Sequence, residues 1–88
     1  GARAVVAGHN KSDAKWFADA RPGFFKRLLS LADGVKIVRP FAAMTDAQVV
    51  RLGARLGAPL DLTWSCYRDG AAPCGRCPAC KDRRAILP

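Results

Sequence analysis

The chain has 88 residues, half of them hydrophobic and a quarter charged, with a formal net charge of +8 from ten Arg, five Lys and seven Asp. A chain of this size forms one domain at most and buries only about 60–65% of the surface that its unfolded form exposes. No apolar run approaches the ~18 residues of a membrane span, and the opening GARAVVAGHN lacks the basic head and long apolar stretch of a signal peptide, so a cytoplasmic, membrane-free protein is expected.

Residues 2–7, ARAVVA, read as a short buried strand ending at Gly8. With no initiator Met, the chain starts almost directly on that strand, as though cut from something longer. Residues 8–21 are polar without a clean period and read as loop. Pro22 suits a first helical position, and Phe24, Phe25, Leu28, Leu31 and Ala32 follow at helical spacing. Gly34 is the expected left-handed cap. VKIVRP, residues 35–40, is alternating and β-branched, hence a second strand. Thr45 and Gln48 stand at the spacing of a capping box, with Asp46 in the favourable first turn. Val49, Leu52 and Leu56 would form the buried stripe of that helix, Gly57 its cap, and Pro59 its stop. LDLTW, residues 60–64, alternates and is expected to run extended with Leu60, Leu62 and Trp64 inward. A short helix is expected around residues 78–86.

Strand, helix, strand, helix argues for an α/β layer with parallel strands. Parallel strands need neighbours and cover on both faces. The expected organisation is therefore the trailing part of a larger parallel sheet over residues 1–62, followed by a cysteine-bearing tail over residues 63–88.

All four cysteines lie in that tail, as Cys66, Cys74, Cys77 and Cys80 with spacing C-x7-C-x2-C-x2-C. Disulfides could pair in three ways, but nothing else looks secreted and CxxC bridges would close strained small rings. A thioredoxin-like pair would leave two spare thiols. An iron–sulfur cluster shares the C-x2-C-x2-C run, yet its fourth cysteine comes later, before a proline. A closed tetrahedral zinc site fits best, because it takes four soft ligands and leaves no open position. Gly75 would let the knuckle adopt positive φ and turn its amides to the sulfurs. Arg68, Arg76, Lys81, Arg83 and Arg84 lie within a few residues of a ligand and would offset the thiolate charge. Elsewhere the cations are scattered, so nucleic acid is not the expected main partner; a zinc-stabilised basic module that binds RNA or DNA is the reading from a different class.

LGAPLDLTWSCYRDGAAPCGRCPACKDRRAIL closely resembles the C-terminal region of the 7-cyano-7-deazaguanine synthases (QueC), where TWSCY is followed by CG-x-C-x-x-C-x-x-R. A second match is GHNKSDAKWFADARPGFF, in which Gly8, Asn10, Asp13, Asp19, Arg21 and Pro22 fit the family pattern. The family's Tyr-Pro-Asp-Cys stands here as Phe17-Ala18-Asp19-Ala20. Its ATP-binding Ser-Gly-Gly-x-Asp-Ser is not in these residues, which the resemblance would place well upstream.

The resemblance implies a PP-loop ATPase fold, related to the adenine nucleotide alpha-hydrolases and Rossmann-like, with a C-terminal four-cysteine zinc lobe. It implies an ATP-dependent ligase that turns 7-carboxy-7-deazaguanine and ammonia into 7-cyano-7-deazaguanine on the way to queuosine and archaeosine in tRNA. The zinc would be structural and ATP would be held mainly by residues outside this chain; a homodimer is compatible. The residues agree on location, since loop 8–21 follows the C-terminal end of a strand, where open α/β sheets bind ligands. Asn10, Asp13, Asp19 and Arg21 are the candidate substrate-binding residues. Arg21 can pair with a carboxylate or phosphate, Asp13 or Asp19 can accept from a guanine-like edge, and Asn10 offers a donor and an acceptor. The plainer alternatives are that Asp19 caps the helix begun by Pro22, that Arg21 is a surface cation, and that Trp16 and Phe17 pack rather than stack. His9 reads as a structural or exposed residue. The altered Phe17–Ala20 stretch also fits a relative that acts on another carboxylate.

Overall fold

A computed structural model describes residues 1–87. They form two compact units that divide between Val49 and Val50.

The first unit is built on two parallel strands, β1 (Ala4–Val6) and β2 (Lys36–Val38), with Ala4, Val5 and Val6 opposite Lys36, Ile37 and Val38. The ladder continues through Lys36 N–H to the Arg3 carbonyl and Ala7 N–H to the Val38 carbonyl, both at 2.9 Å. The connection between them is α1 (Pro22–Leu31). This is the parallel strand–helix–strand order that the alternation of patterns predicts. Burial departs from expectation: Val5 and Val6 are 51% and 68% exposed. One neighbouring strand and one helix cannot cover both faces of a parallel pair.

α1 starts as its sequence directs, with Pro22 in the first turn, where a missing N–H costs nothing. Its N-cap is Arg21, without a side-chain cap bond. Asp19 therefore does not cap α1. Residues Ala18–Ala20 close a 3₁₀ turn of their own, sealed by Arg21 N–H to the Ala18 carbonyl at 3.2 Å, which leaves Asp19 two residues short of the cap. A second such turn, Asp13–Lys15, orders the same segment. The apolar stripe of α1 is narrower than its spacing suggests: Phe25 is buried, whereas Leu31 is 81% exposed. An apolar groove of about 270 Å³ runs between helix and sheet, lined by Val5, Phe25, Leu28 and Ile37 among others.

α2 (Asp46–Arg55) carries the expected capping box in full. Gln48 Oε1 accepts from Thr45 N–H at 2.8 Å, and Thr45 Oγ1 accepts from Gln48 N–H at 3.3 Å. Val49 and Leu52 are half-buried along the stripe; Leu56, expected with them, is 76% exposed. Gly34 and Gly57, expected as left-handed caps, have φ of 69° and 73°.

In the second unit, residues 60–64 are not extended. Leu60–Leu62 is a 3₁₀ turn. Thr63 Oγ1 donates to the Leu60 carbonyl at 2.6 Å and Thr63 N–H at 3.2 Å to the same oxygen. Local hydroxyl-to-backbone bonding of this kind competes with strand formation, and among its described residues the unit offers no strand for residues 60–64 to pair with. Leu62 and Trp64 are accordingly exposed rather than inward. α3 (Pro78–Ile86) matches the expected final helix. Among the described residues no helix is long and apolar enough to cross a membrane.

The reciprocal cap of α2 makes a direct prediction. Thr45→Ala should cost about 1 kcal/mol of stability and Gln48→Ala less, measured by urea unfolding; equal stability of Thr45→Ala and the parent would contradict the cap's role.

Candidate metal centre

The second unit has almost no aliphatic interior. Among its described residues the buried hydrophobics are Cys66, Cys77 and Cys80, with Cys74 and Ala79 packed against them. The chain brings the four sulfurs together from three directions. Cys66 ends the irregular run that leaves the Leu60–Leu62 turn. Cys74 and Cys77 flank a knuckle at Gly75, whose φ is 72°. Cys77 is also the N-cap of α3, its Sγ accepting from Cys80 N–H at 3.4 Å, and Cys80 lies in the helix's first turn.

All four Sγ atoms lie within 4.8 Å of one another. Cys74 and Cys80 Sγ are 3.9 Å apart, and Cys66 and Cys77 Sγ are 4.0 Å apart. Around a tetrahedral ion with metal–sulfur bonds of ~2.3 Å, the sulfur–sulfur edges would be about 3.8 Å. The cysteines are unbridged, which sets aside the disulfide pairings. Four soft donors at this spacing can hold a metal ion, and with all four positions filled none remains for a substrate.

The backbone supports thiolate at the right atoms. Cys66 Sγ accepts from the Arg68 and Cys74 amides, both at 3.4 Å; Cys74 Sγ accepts from the Arg76 and Cys77 amides at 3.4 and 3.3 Å. The Arg76 amide first, then that of Cys77, lowers the Cys74 thiol to about 6. Cys77 is lowered by the backbone amides of Tyr67 and Cys80. Cys80 goes the other way, pushed up to about 12 by burial.

A surrounding layer of hydrogen bonds fixes the ligand-bearing segments. Trp64 Nε1 donates to the Cys66 carbonyl at 3.0 Å. Arg84 Nη2 donates to the Gly75 carbonyl at 2.9 Å, across the knuckle, and Arg83 Nη2 to the Leu60 carbonyl at 2.8 Å. The sequence suggests these two arginines only as offsetting charge. The structure gives them positioning work that no spacing could announce, because the acceptors are backbone oxygens brought close by the fold.

The predicted substrate-binding residues all lie in the first unit. Asn10 and Asp13 come together: Asn10 N–H donates to Asp13 Oδ2 at 2.9 Å, and Asn10 Oδ1 accepts from the Ser12 and Asp13 amides at 2.8 and 3.2 Å. Asn10 Nδ2 reaches Asp46 Oδ1 at the start of α2, 2.6 Å away. Arg21 Nε donates to the Ala14 carbonyl at 3.1 Å, and Asp19 is exposed. Trp16 and Phe17 are 80% and 49% exposed, so they do not pack as core. His9 lies edge-on to Phe25 at 5.4 Å.

A family model described as Queuosine biosynthesis protein QueC matches residues 1–87. Among curated proteins, the 7-cyano-7-deazaguanine synthase of Methanothrix thermoacetophila is 38% identical over 96% of this chain and 41% of its own length. Those of Allorhizobium ampelinum and Archaeoglobus fulgidus are 41% and 39% identical, each over 94% of this chain and 38% and 37% of their own lengths. The chain thus spans about two fifths of the curated relatives it matches. No solved structure matches it.

The geometry yields three expectations. Cys77→Ser should lose the bound metal, read by elemental analysis, together with the protease resistance of residues 50–87, since a structural zinc can supply ~10–16 kcal/mol in zinc-finger peptides. A metal-free variant of undiminished stability would contradict the structural role. Zinc binding should release protons, because Cys80 is a thiol at neutral pH and a ligand must be a thiolate. Apparent affinity should therefore rise from pH 7 to pH 9, with proton release visible by calorimetry in buffers of different ionisation enthalpy; tighter binding at lower pH would have the wrong sign. Gly75→Ala should destabilise by about 1–2 kcal/mol, because φ is 72° and an added Cβ would stand 3.2 Å from Arg84 Nη2; an unchanged melting temperature would argue against this knuckle conformation.

Proposed function

Since this chain belongs to the QueC family, we propose that it is the C-terminal part of an ATP-dependent 7-cyano-7-deazaguanine synthase with a PP-loop ATPase fold. The match over residues 1–87 carries this reading, and the four-cysteine centre is consistent with it. The substrate would be 7-carboxy-7-deazaguanine, with ammonia and ATP, in the cytoplasm. The acid's carboxylate attacks the α-phosphorus of ATP and expels pyrophosphate; ammonia then displaces AMP to leave an amide. The amide oxygen then attacks the α-phosphorus of a second ATP and expels pyrophosphate; it departs as an oxygen of AMP while the two amide protons are lost, which forms the carbon–nitrogen triple bond.

In this proposal the metal is zinc, held by Cys66, Cys74, Cys77 and Cys80, and its contribution is to fold the tail. Loop 8–21 supplies the substrate contacts. Asn10 and Asp13, already linked to each other, form a preorganised polar corner, while Asp19 and Arg21 lie nearby on the same loop. Exposed Trp16 and Phe17 offer flat faces for a deazapurine ring. The bulk of the ATP contacts would come from residues outside this chain. A second reading, a relative acting on another carboxylate, is favoured by Phe17-Ala18-Asp19-Ala20 standing where the family has Tyr-Pro-Asp-Cys.

The test uses the protein of the intact gene with 7-carboxy-7-deazaguanine, ammonia and ATP, and mass detection of the nitrile. Nitrile formation is expected. ATP consumption only with a different acid would move the assignment to the second reading, and salt-sensitive nucleic-acid binding without any ligation would replace both.

A further inference from the structure

Phe25 is the one large side chain buried in the first unit, and two polar groups lean on its ring. The Arg39 guanidinium carbon stands 4.3 Å from the ring centroid, and the His9 imidazole meets the ring edge-on at 5.4 Å. Arg39 directly follows β2, and His9 lies three residues beyond β1. Because Val6 pairs with Val38 in parallel register, both lie past the C-terminal ends of the strands. The loops there are stitched together. Lys11 N–H donates to the Met44 carbonyl at 2.8 Å, Asp46 N–H to Ser12 Oγ at 3.2 Å, and Asn10 Nδ2 to Asp46 Oδ1. Pro40 further narrows the backbone freedom of Arg39.

A guanidinium held over an aromatic ring by cation–π attraction keeps N–H donors that can bind elsewhere. In the adjoining loops Asn10 already engages Asp13 Oδ2 and Asp46 Oδ1. A half-buried arginine held over an aromatic ring is a costly way to place a cation that serves only solubility, whereas its fork matches a two-oxygen anion. His9 Nδ1 is buried beside the same ring without a protein partner, a polar group of the kind that calls for an explanation.

We infer that Arg39, braced on Phe25 at the C-terminal edge of the sheet and flanked by His9, is an oxyanion-binding residue, taking either the carboxylate of an acid substrate or a phosphate of a nucleotide. The identity of the acid rests on the function proposed above; the anion site does not.

The experiment compares the full-length protein with Arg39→Lys and Arg39→Gln, measuring calorimetric affinity for 7-carboxy-7-deazaguanine, ATP and inorganic pyrophosphate. Lys keeps the charge but loses the fork, and Gln loses both. One class of probe should weaken about 10-fold in Arg39→Lys and about 100-fold in Arg39→Gln, as for charge-assisted hydrogen bonds, while the other stays within twofold. Loss for the acid alone assigns the carboxylate; loss for ATP and pyrophosphate assigns the phosphate. Circular-dichroism melting checks the fold, and Arg39→Met, which keeps apolar packing on Phe25, replaces any variant that unfolds. Parent affinity in the variants, a uniform loss for all probes, or a parent that binds none of them overturns the inference. A parent that makes the nitrile while its variants bind normally sinks only this inference; one that makes no nitrile but binds pyrophosphate through Arg39 sinks only the proposed function.

Discussion

The convergence of four sulfurs is what residues 50–87 depend on. In most domains an aliphatic interior offsets the loss of chain entropy, but here the buried set is three cysteines, with a fourth half-buried against them. Thiols at this spacing have little to hold them together by themselves, and thiolates repel. A divalent ion turns the same four atoms from a liability into a closed coordination shell. The amides aimed at Cys66, Cys74 and Cys77 Sγ, and the Arg84 and Trp64 bonds to ligand-bearing backbone, then read as one device. They hold the sulfurs near coordination distance and shift charge toward them. The high thiol of Cys80 follows from the same compactness, since burial disfavours an extra negative charge until a cation shares the space.

The first unit solves a different problem with equally little core. Two three-residue strands and one helix bury Ala20 and Phe25 and leave apolar side chains such as Val6 and Leu31 in the open. Order at the C-terminal edge of the strands comes instead from hydrogen bonds. Asn10 links Asp13 within its own loop to Asp46 at the head of α2, and Ser12 Oγ receives the Asp46 amide. The loops after β1 and β2 thereby become one polar surface rather than two independent flaps. Preorganisation of that kind is what a ligand site requires, because groups held in place before binding lose less entropy when the ligand arrives.

Where sequence reasoning went astray, the cause was tertiary. Alternation over residues 60–64 suggested an extended strand with leucines inward. Without a strand beside it, the stretch closed on itself through Thr63 Oγ1, and Leu62 and Trp64 turned outward. Asp19 looked like a helix cap by residue type, but a separate 3₁₀ turn moved the cap to Arg21. The stripes of α1 and α2 were legible as periodicity; how far each is covered was not, because that depends on what packs against it.

The residues alone determined whatever local chemistry dictates. Glycine best tolerates the left-handed turns at Gly34, Gly57 and Gly75, the Thr45–Gln48 pair caps α2 reciprocally, and C-x7-C-x2-C-x2-C supplies four soft donors that can hold one ion. Only the tertiary structure decided which backbone oxygens Arg83 and Arg84 would grip, that Asn10 would reach Asp46, and that Arg39 and His9 would share one phenylalanine ring. Local patterns extend over a turn or two of chain, whereas those contacts join residues as much as 36 positions apart, and no spacing within a segment encodes which distant atom will arrive.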